Sequence, residues 1–370
     1  MNKIVIGLLI SFSLLTACKE KASKDDRKVF RFNLSSGVTS LDPAFSKDQA
    51  TMWMCNQLYN GLLQLDDSLK VVPAIAKDYE IQDNGLTYVF HLRKDVFFHD
   101  HQIFSEGKGR KVVADDFVYS FNRIIDENVA STGAWLFNGK VRDTVPFEAL
   151  DDSTFVIHLK FPFRPMASLL TLQYCSVVPK EIVDYYGKDF RNVAIGTGPF
   201  KLVKWQENAA LVLGKNANYF EKDSTGVQLP YIDGVKVSFL NDRSVEFLQL
   251  LQGQLDLVSG IDKSFRDKAI DGLGNLQQEV APKVTMIRMP YMNTEYLGFS
   301  MSQVKNSALK NKLVRQAINY AIDREKMITY LRSGIGQPAH YGIIPIGVSG
   351  FNENVKGYSF QPELAKKLLT

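Results

Sequence analysis

Gly196-Thr197-Gly198-Pro199-Phe200-Lys201-Leu202-Val203-Lys204 is the stretch on which the fold turns. Its glycines look superficially like a dinucleotide-binding turn, but that fingerprint opens a helix. Here a proline follows, and Phe200, Leu202 and Lys204 then alternate along the chain as a strand requires. The same alternation recurs outward from this point. Val29 to Leu34 sets Phe30, Phe32 and Leu34 against Arg31 and Asn33. Leu86 to Leu92 repeats it with Leu86, Tyr88, Phe90 and Leu92, and Thr154 to Lys160 with Phe155, Ile157 and Leu159.

Between these strands lie helical periods. Asp115 or Asp116 is the expected cap of a helix with Phe117, Phe121, Ile124 and Ile125 on one stripe. Ser244 to Gln252 reads as a short helix ending at Gly253, where positive φ is wanted, and Leu255, Leu257 and Val258 as a strand after it. Asn311 to Ala321 carries an apolar stripe of Leu313, Val314, Ala317, Ile318 and Ala321, and Asp323 is placed to cap a second helix through Leu331. Strands alternating with helices and tight turns predict an α/β protein with mixed sheets. At 370 residues the chain is too long for one core, so two or more lobes are expected.

The N-terminus sets the compartment. Lys3, an apolar run from Ile4 to Leu15 and then Thr16-Ala17-Cys18 form an export signal, because so short a run cannot cross a bilayer core needing about 20 helical residues. Leu15-Thr16-Ala17-Cys18 resembles the bacterial lipobox, which implies removal of residues 1–17 and attachment of diacylglyceryl and fatty-acyl (palmitate) chains to Cys18. Residues 18–28 are polar, charged and aperiodic, and read as a flexible tether. The anchor faces the periplasm, or the exterior of a single-membrane cell. Net charge is only +4, from 44 basic and 40 acidic residues spread throughout, which argues against a nucleic-acid surface. The other cysteines, Cys55 and Cys175, are open to either pairing or burial as thiols.

Chemistry is sparse. His99-Asp100-His101 is the only close histidine pair, and a metal site would need further ligands; a solvated strand end is the preferred reading. Gly107-Lys108-Gly109-Arg110-Lys111 lacks phosphate-loop spacing and reads as an exposed loop. No nucleophile elbow or reactive-cysteine context occurs, and Asp66-Asp67, Asp115-Asp116 and Asp151-Asp152 fall at turns and caps. The chain is expected to be no enzyme, with neither cofactor nor metal.

Taken in order, eight blocks resemble one family. They are Ser40-Leu41-Asp42-Pro43, Leu58 to Leu63, Val72 to Ala76, Asn84 to Arg93, Val113 to Ser120, Gly196 to Phe200, Leu229 to Asp233 and Val314 to Arg324. The chain is similar to the oligopeptide and dipeptide class of extracytoplasmic solute-binding proteins that serve ABC importers (solute-binding family 5). The resemblance implies a two-lobe, type II periplasmic-binding-protein fold with a hinge and an extra domain inserted in lobe one. Lobe one would be 29–50 and 194–290, the inserted domain 51–193, and 291–370 the start of lobe two. Family members continue well past the Pro362 to Leu369 helix, so the chain is expected to be truncated there, before the acidic residue that pairs with a peptide's α-ammonium.

The resemblance also implies a site. Ser36, Gly37, Val38 and Thr39, before the Leu-Asp-Pro turn, would lie along a bound peptide and offer main-chain hydrogen bonds; relatives often carry an acid where Gly37 stands. Gly37 has a turn role as its alternative. Trp135 would offer an aromatic to the ligand, or fill the core. Asn293 and Thr294 would lie at the hinge, or on a surface turn. The implied function is a monomeric, lipid-anchored protein that captures short peptides between lobes and delivers them to an ABC permease and its ATPase. The same fold would also serve a nickel chelate, haem, an oligosaccharide or a signalling peptide, or a chaperone or sensory lipoprotein without transport.

Overall fold

The computed structural model describes residues 27–271, 274–288, 293–303, 305, 307–332, 334–348 and 350–370. The export signal, Cys18 and most of the tether lie outside the described residues. The chain divides after Asn241 into two units.

In the first unit, β1 (Val29–Asn33) forms where expected, with Phe32 buried and Phe30 packed beside it, but Asn33 on the opposite face is buried as well. It pairs in parallel with β10 (Gly234–Ser238), setting Phe30 opposite Val235 and Phe32 opposite Val237. Antiparallel β9 (Ala210–Lys215) and β8 (Phe200–Gln206) complete a mixed sheet of order β1-β10-β9-β8. Pro199 thus leads into a strand, as the alternation required. The two glycines before it answer a different need. Gly198 N–H donates to Leu58 O at 2.9 Å, and a Cβ on Gly196 or Gly198 would stand 2.1 or 2.4 Å from the Leu58 backbone. Only glycine lets two backbones come this close.

A short antiparallel hairpin joins β2 (Leu63–Leu65) and β3 (Val71–Pro73), and a further sheet, order β4-β5-β7-β6, is antiparallel throughout: β4 (Ala76–Gln82), β5 (Thr87–Leu92), β6 (Phe147–Asp151) and β7 (Thr154–His158). Helix α1 (Gln49–Leu58) is capped by Asp48, whose carboxylate accepts from Thr51 N. Helix α2 (Ala114–Ile125) buries Phe117, Phe121 and Ile124. Its cap is Val113, and Asp116 sits in the first turn accepting from Val113 N at 2.9 Å, which corrects the expected Asp115 or Asp116 cap. Phe121 meets the rings of Phe117, Phe137, Phe147 and Phe155, so the helix is fixed by aromatic interdigitation. One continuous buried cluster, from Phe32 to Phe239, serves both sheets. The basic loop is less exposed than expected. Arg110 forks between Asp116, at 2.6 and 2.8 Å, and Glu181 of α3 (Lys180–Tyr186), over the Phe98 ring.

The second unit begins with α4 (Arg243–Leu251), capped by Asp242 and followed by Gly253 at φ +69°. The strand expected at Leu255 to Val258 does not form. The amides of Gln254 and Leu255 turn back to Gln249 O, so the chain curls under the helix end instead of extending. Helix α5 (Lys312–Ala321) forms where its apolar stripe was expected, and Asn311 caps it, its side chain accepting from Leu313 N. Asp323 caps a three-residue helix, Arg324–Lys326, which continues as a wide turn through Met327–Leu331. Helix α6 (Pro362–Leu369) is tied to α5 by Gln361 N donating to Tyr320 O at 2.8 Å and by the Tyr320 and Tyr358 rings.

Candidate functional site

The site is built where β1 ends. Asn33 is buried and its amide takes the place of a ladder rung: Oδ1 accepts from Leu240 N at 2.7 Å and Nδ2 donates to Leu240 O at 2.9 Å. Leu34 N–H adds a bond to Ser238 O. The chain then turns, with Gly37 N–H donating back to Leu34 O at 3.1 Å and Gly37 at φ +66°. No heavy atom would lie within 4 Å of a Cβ there, so glycine is needed for its conformation and not for space.

Downstream the segment is held as firmly. Ser40 Oγ accepts from Asp42 N, and Asp42 Oδ1 from Ala44 N at 3.0 Å, closing the turn Pro43–Phe45. The Asp42 carboxylate takes both Arg123 Nη atoms at 2.8 and 2.5 Å, with Arg123 above the Phe190 ring. Burial works against the Arg123 charge, but the Asp42 bonds outweigh it and hold its pKa above the ordinary value. Breaking a buried pair of this kind leaves one unpaired charge.

Between these anchors stand Ser36, Gly37, Val38 and Thr39. Ser36 and Thr39 are exposed and Gly37 and Val38 half-buried. Thr39 O accepts from Arg191 Nη1 at 3.2 Å. Among the described residues, the N–H and C=O of Val38 and the N–H of Thr39 take no partner within the chain. Unpaired main-chain groups between two anchored turns are available to the backbone of a bound peptide.

Trp135 is 53% exposed, which removes the core reading. Its loop is moored to the same turn: Ser131 Oγ donates to Ala44 O at 2.6 Å, and Gly133 lies against the Tyr174 ring. The structure therefore gathers the Trp135 loop and the chain following Ser36 to Thr39 on Pro43–Phe45. No hydrogen bond or ring contact joins Trp135 to those four residues among the described residues. Asn293 and Thr294, in the second unit, carry no helix or strand; Asn293 is exposed and Thr294 half-buried.

The histidine pair behaves differently from the solvated strand end expected. His99 is 1% exposed, its Nε2 donating to Gly198 O at 3.0 Å while Nδ1 accepts from Gly196 N at 3.3 Å. Burial in that junction lowers its pKa to about 4. His101 is engaged elsewhere, with Ile103 N and Tyr186 OH, so the two rings share no ligand geometry. No group of three metal-ligating side chains occurs among the described residues. Cys55 and Cys175 are both free and buried, and burial pushes both thiols well above the ordinary range. A concavity of about 500 Å³ opens in the first unit beside Phe97, Phe220, Asp100, Lys108 and Lys222, and none of Ser36 to Thr39, Trp135, Asn293 or Thr294 lines it.

The sequence reading passed over Arg191 and Arg123. Both sit in ordinary charged contexts, and only the fold brings them to Thr39 and Asp42.

The model of the bacterial extracellular solute-binding proteins, family 5 Middle, matches residues 70–370, and the chain belongs to that family. A dipeptide-binding protein of Escherichia coli K12 is 29% identical over 84% of this chain and 57% of its own length. Heme-binding protein A of Haemophilus influenzae is 28% identical over 85% of this chain and 56% of its own. An ABC transporter-associated periplasmic binding protein from Helicobacter pylori, solved with the peptide STSA, superposes with a TM-score of 0.76 at 27% identity. The match covers 93% of this chain and 66% of that one. The fold is the type II periplasmic binding protein fold, as the sequence blocks implied. The chain thus spans little more than half the length of these curated relatives. The relatives are named for what they bind and not for a reaction. No helix among the described residues is long and apolar enough to cross a membrane.

Proposed function

We propose that the protein is the lipid-anchored, monomeric solute-binding component of an ABC importer, capturing short peptides and handing them to a permease and its ATPase. Cys18 would carry the anchor at the cell envelope, and residues 18–28 the tether. Residues 29–50 and 194–290 would form lobe one, 51–193 an inserted domain, and the chain from 291 lobe two, with Asn293 and Thr294 at the hinge. Ser36, Gly37, Val38 and Thr39 would bind peptide backbone, with Trp135 packing on a side chain. The observation that carries this reading is the set of open main-chain groups at Val38 and Thr39, held between the Leu34 turn and the Asp42–Arg123 pair. Main-chain pairing is indifferent to side chains, as a peptide importer needs. Similarity to a dipeptide-binding protein and to a chain solved with a bound peptide supports it.

Similarity to Heme-binding protein A favours haem as a second reading. The test is mass spectrometry of small molecules released by denaturing the full-length mature protein. A ladder of mixed short peptides is expected. A single defined species such as haem, a metal chelate or a sugar would keep the importer and overturn the peptide.

A further inference from the structure

We propose that Arg191 is a positioning residue for the ligand-facing segment, an inference that rests on the peptide-binding reading of Ser36 to Thr39. Arg191 lies in the turn Gly187–Asn192, beside the buried Phe190. It reaches the segment through two different groups. Its backbone carbonyl accepts from Leu41 N at 2.8 Å, and its guanidinium donates from Nη1 to Thr39 O at 3.2 Å. Nη2 donates to Glu207 Oε1 at 3.1 Å, in the turn between β8 and β9, and this second bond aims the fork. Arg191 gives Thr39 its one hydrogen bond among the described residues, next to the open groups of Val38.

The side chain is suited to placing a segment and poorly suited to holding up the fold. Arg191 and Glu207 are 45% and 56% exposed, and an exposed pair adds little to global stability. A segment left free to move would have to be ordered by each ligand it binds, and that cost falls on affinity. Replacing Arg191 by alanine keeps the backbone bond to Leu41 and removes the hold on Thr39 together with the exposed pair to Glu207.

The test uses the full-length mature protein with Arg191→Ala and Arg191→Lys. Three quantities are read: hydrogen exchange at the Leu41 amide, the unfolding midpoint, and trialanine affinity by calorimetry. Arg191→Ala is expected to speed Leu41 exchange roughly tenfold by local opening, with the midpoint unchanged. Trialanine should bind roughly ten times more weakly, and Arg191→Lys should recover most of that loss. Unchanged Leu41 exchange overturns the proposal, as does a lowered midpoint, which would mark a general structural role. Unchanged affinity in a protein that binds trialanine overturns it too. If the unmutated protein takes no trialanine, the released species decide the peptide reading, and Leu41 exchange alone decides whether Arg191 holds the segment.

Discussion

The two units carry similarly patterned helices and bury them to very different degrees. Helix α2 and helix α5 both have strong apolar stripes, yet α2 buries Phe117, Phe121 and Ile124 completely while α5 buries only Ala317. In the first unit a continuous cluster takes in both sheets and a chain of touching phenylalanine rings. The second unit's cluster has Phe247, Ala269, Ile270 and Val280 at its centre, and Ile287, Tyr296, Leu297 and Tyr330 stay exposed among its described residues. An amphipathic pattern says which face of a helix is apolar. Whether burial stabilises that face depends on what packs there, at about 25 cal/mol per Å² removed from water.

The comparison predicts effects of unequal size. Phe121→Ala should cost about 3–5 kcal/mol, because it empties a ring-lined site that cannot collapse. Denaturant titration followed by tryptophan fluorescence reads this directly, since Trp53, Trp135 and Trp205 all lie in the first unit. A cost under about 1 kcal/mol would mean that the aromatic cluster is not the packed core argued above.

Acid should act next most strongly, and also on the first unit. His99 titrates at 6.5 when free and at about 4 in the fold. Between those values the unfolded chain binds a proton that the native state does not, so stability is full above pH 6.5 and falls as pH drops toward 4. Each pH unit in that window costs about 1.4 kcal/mol, and the whole window on the order of 3 kcal/mol. Unfolding midpoints at several pH values check this, and His99→Gln should flatten the slope there. A slope that survives the substitution would assign it to other groups.

The smallest effect belongs to the second unit. In the 370-residue chain Leu313 is 46% exposed, so Leu313→Ala made in that chain should cost less than about 1 kcal/mol, read as hydrogen exchange of the α5 amides. A loss comparable to that of Phe121→Ala would break the contrast between the units.

Local order was largely legible in advance. The strands at Val29, Leu86 and Thr154, the Asp323 cap and positive φ at Gly253 stand in the structure, although Asn33, Val89 and Val156 are buried as well, so these strands are covered on both faces. The failures share one character. Leu255 to Val258 has strand-like residues, but the Leu255 amide turns back to Gln249 O and the segment forms a single bridge at Leu257 in place of a strand. His99 looked like a solvated end because nothing in its own neighbourhood shows that Gly196 and Gly198 will cover it. Of the candidate site, Ser36 to Thr39 and Trp135 were placed by resemblance, and Arg191 and Arg123 carried no local signal at all.

By itself the sequence determined the approximate place of β1, β5, β7 and β8 and of helices α2, α4 and α5, because side-chain alternation, capping and glycine conformation act within a few residues of chain. Tertiary structure alone decided that β1 pairs with β10, that Leu58 passes against Gly198, and that Arg191 reaches Thr39. Those partners lie far apart in sequence. Bringing them together costs loop-closure entropy that no local pattern records, and it is repaid only when the whole core forms.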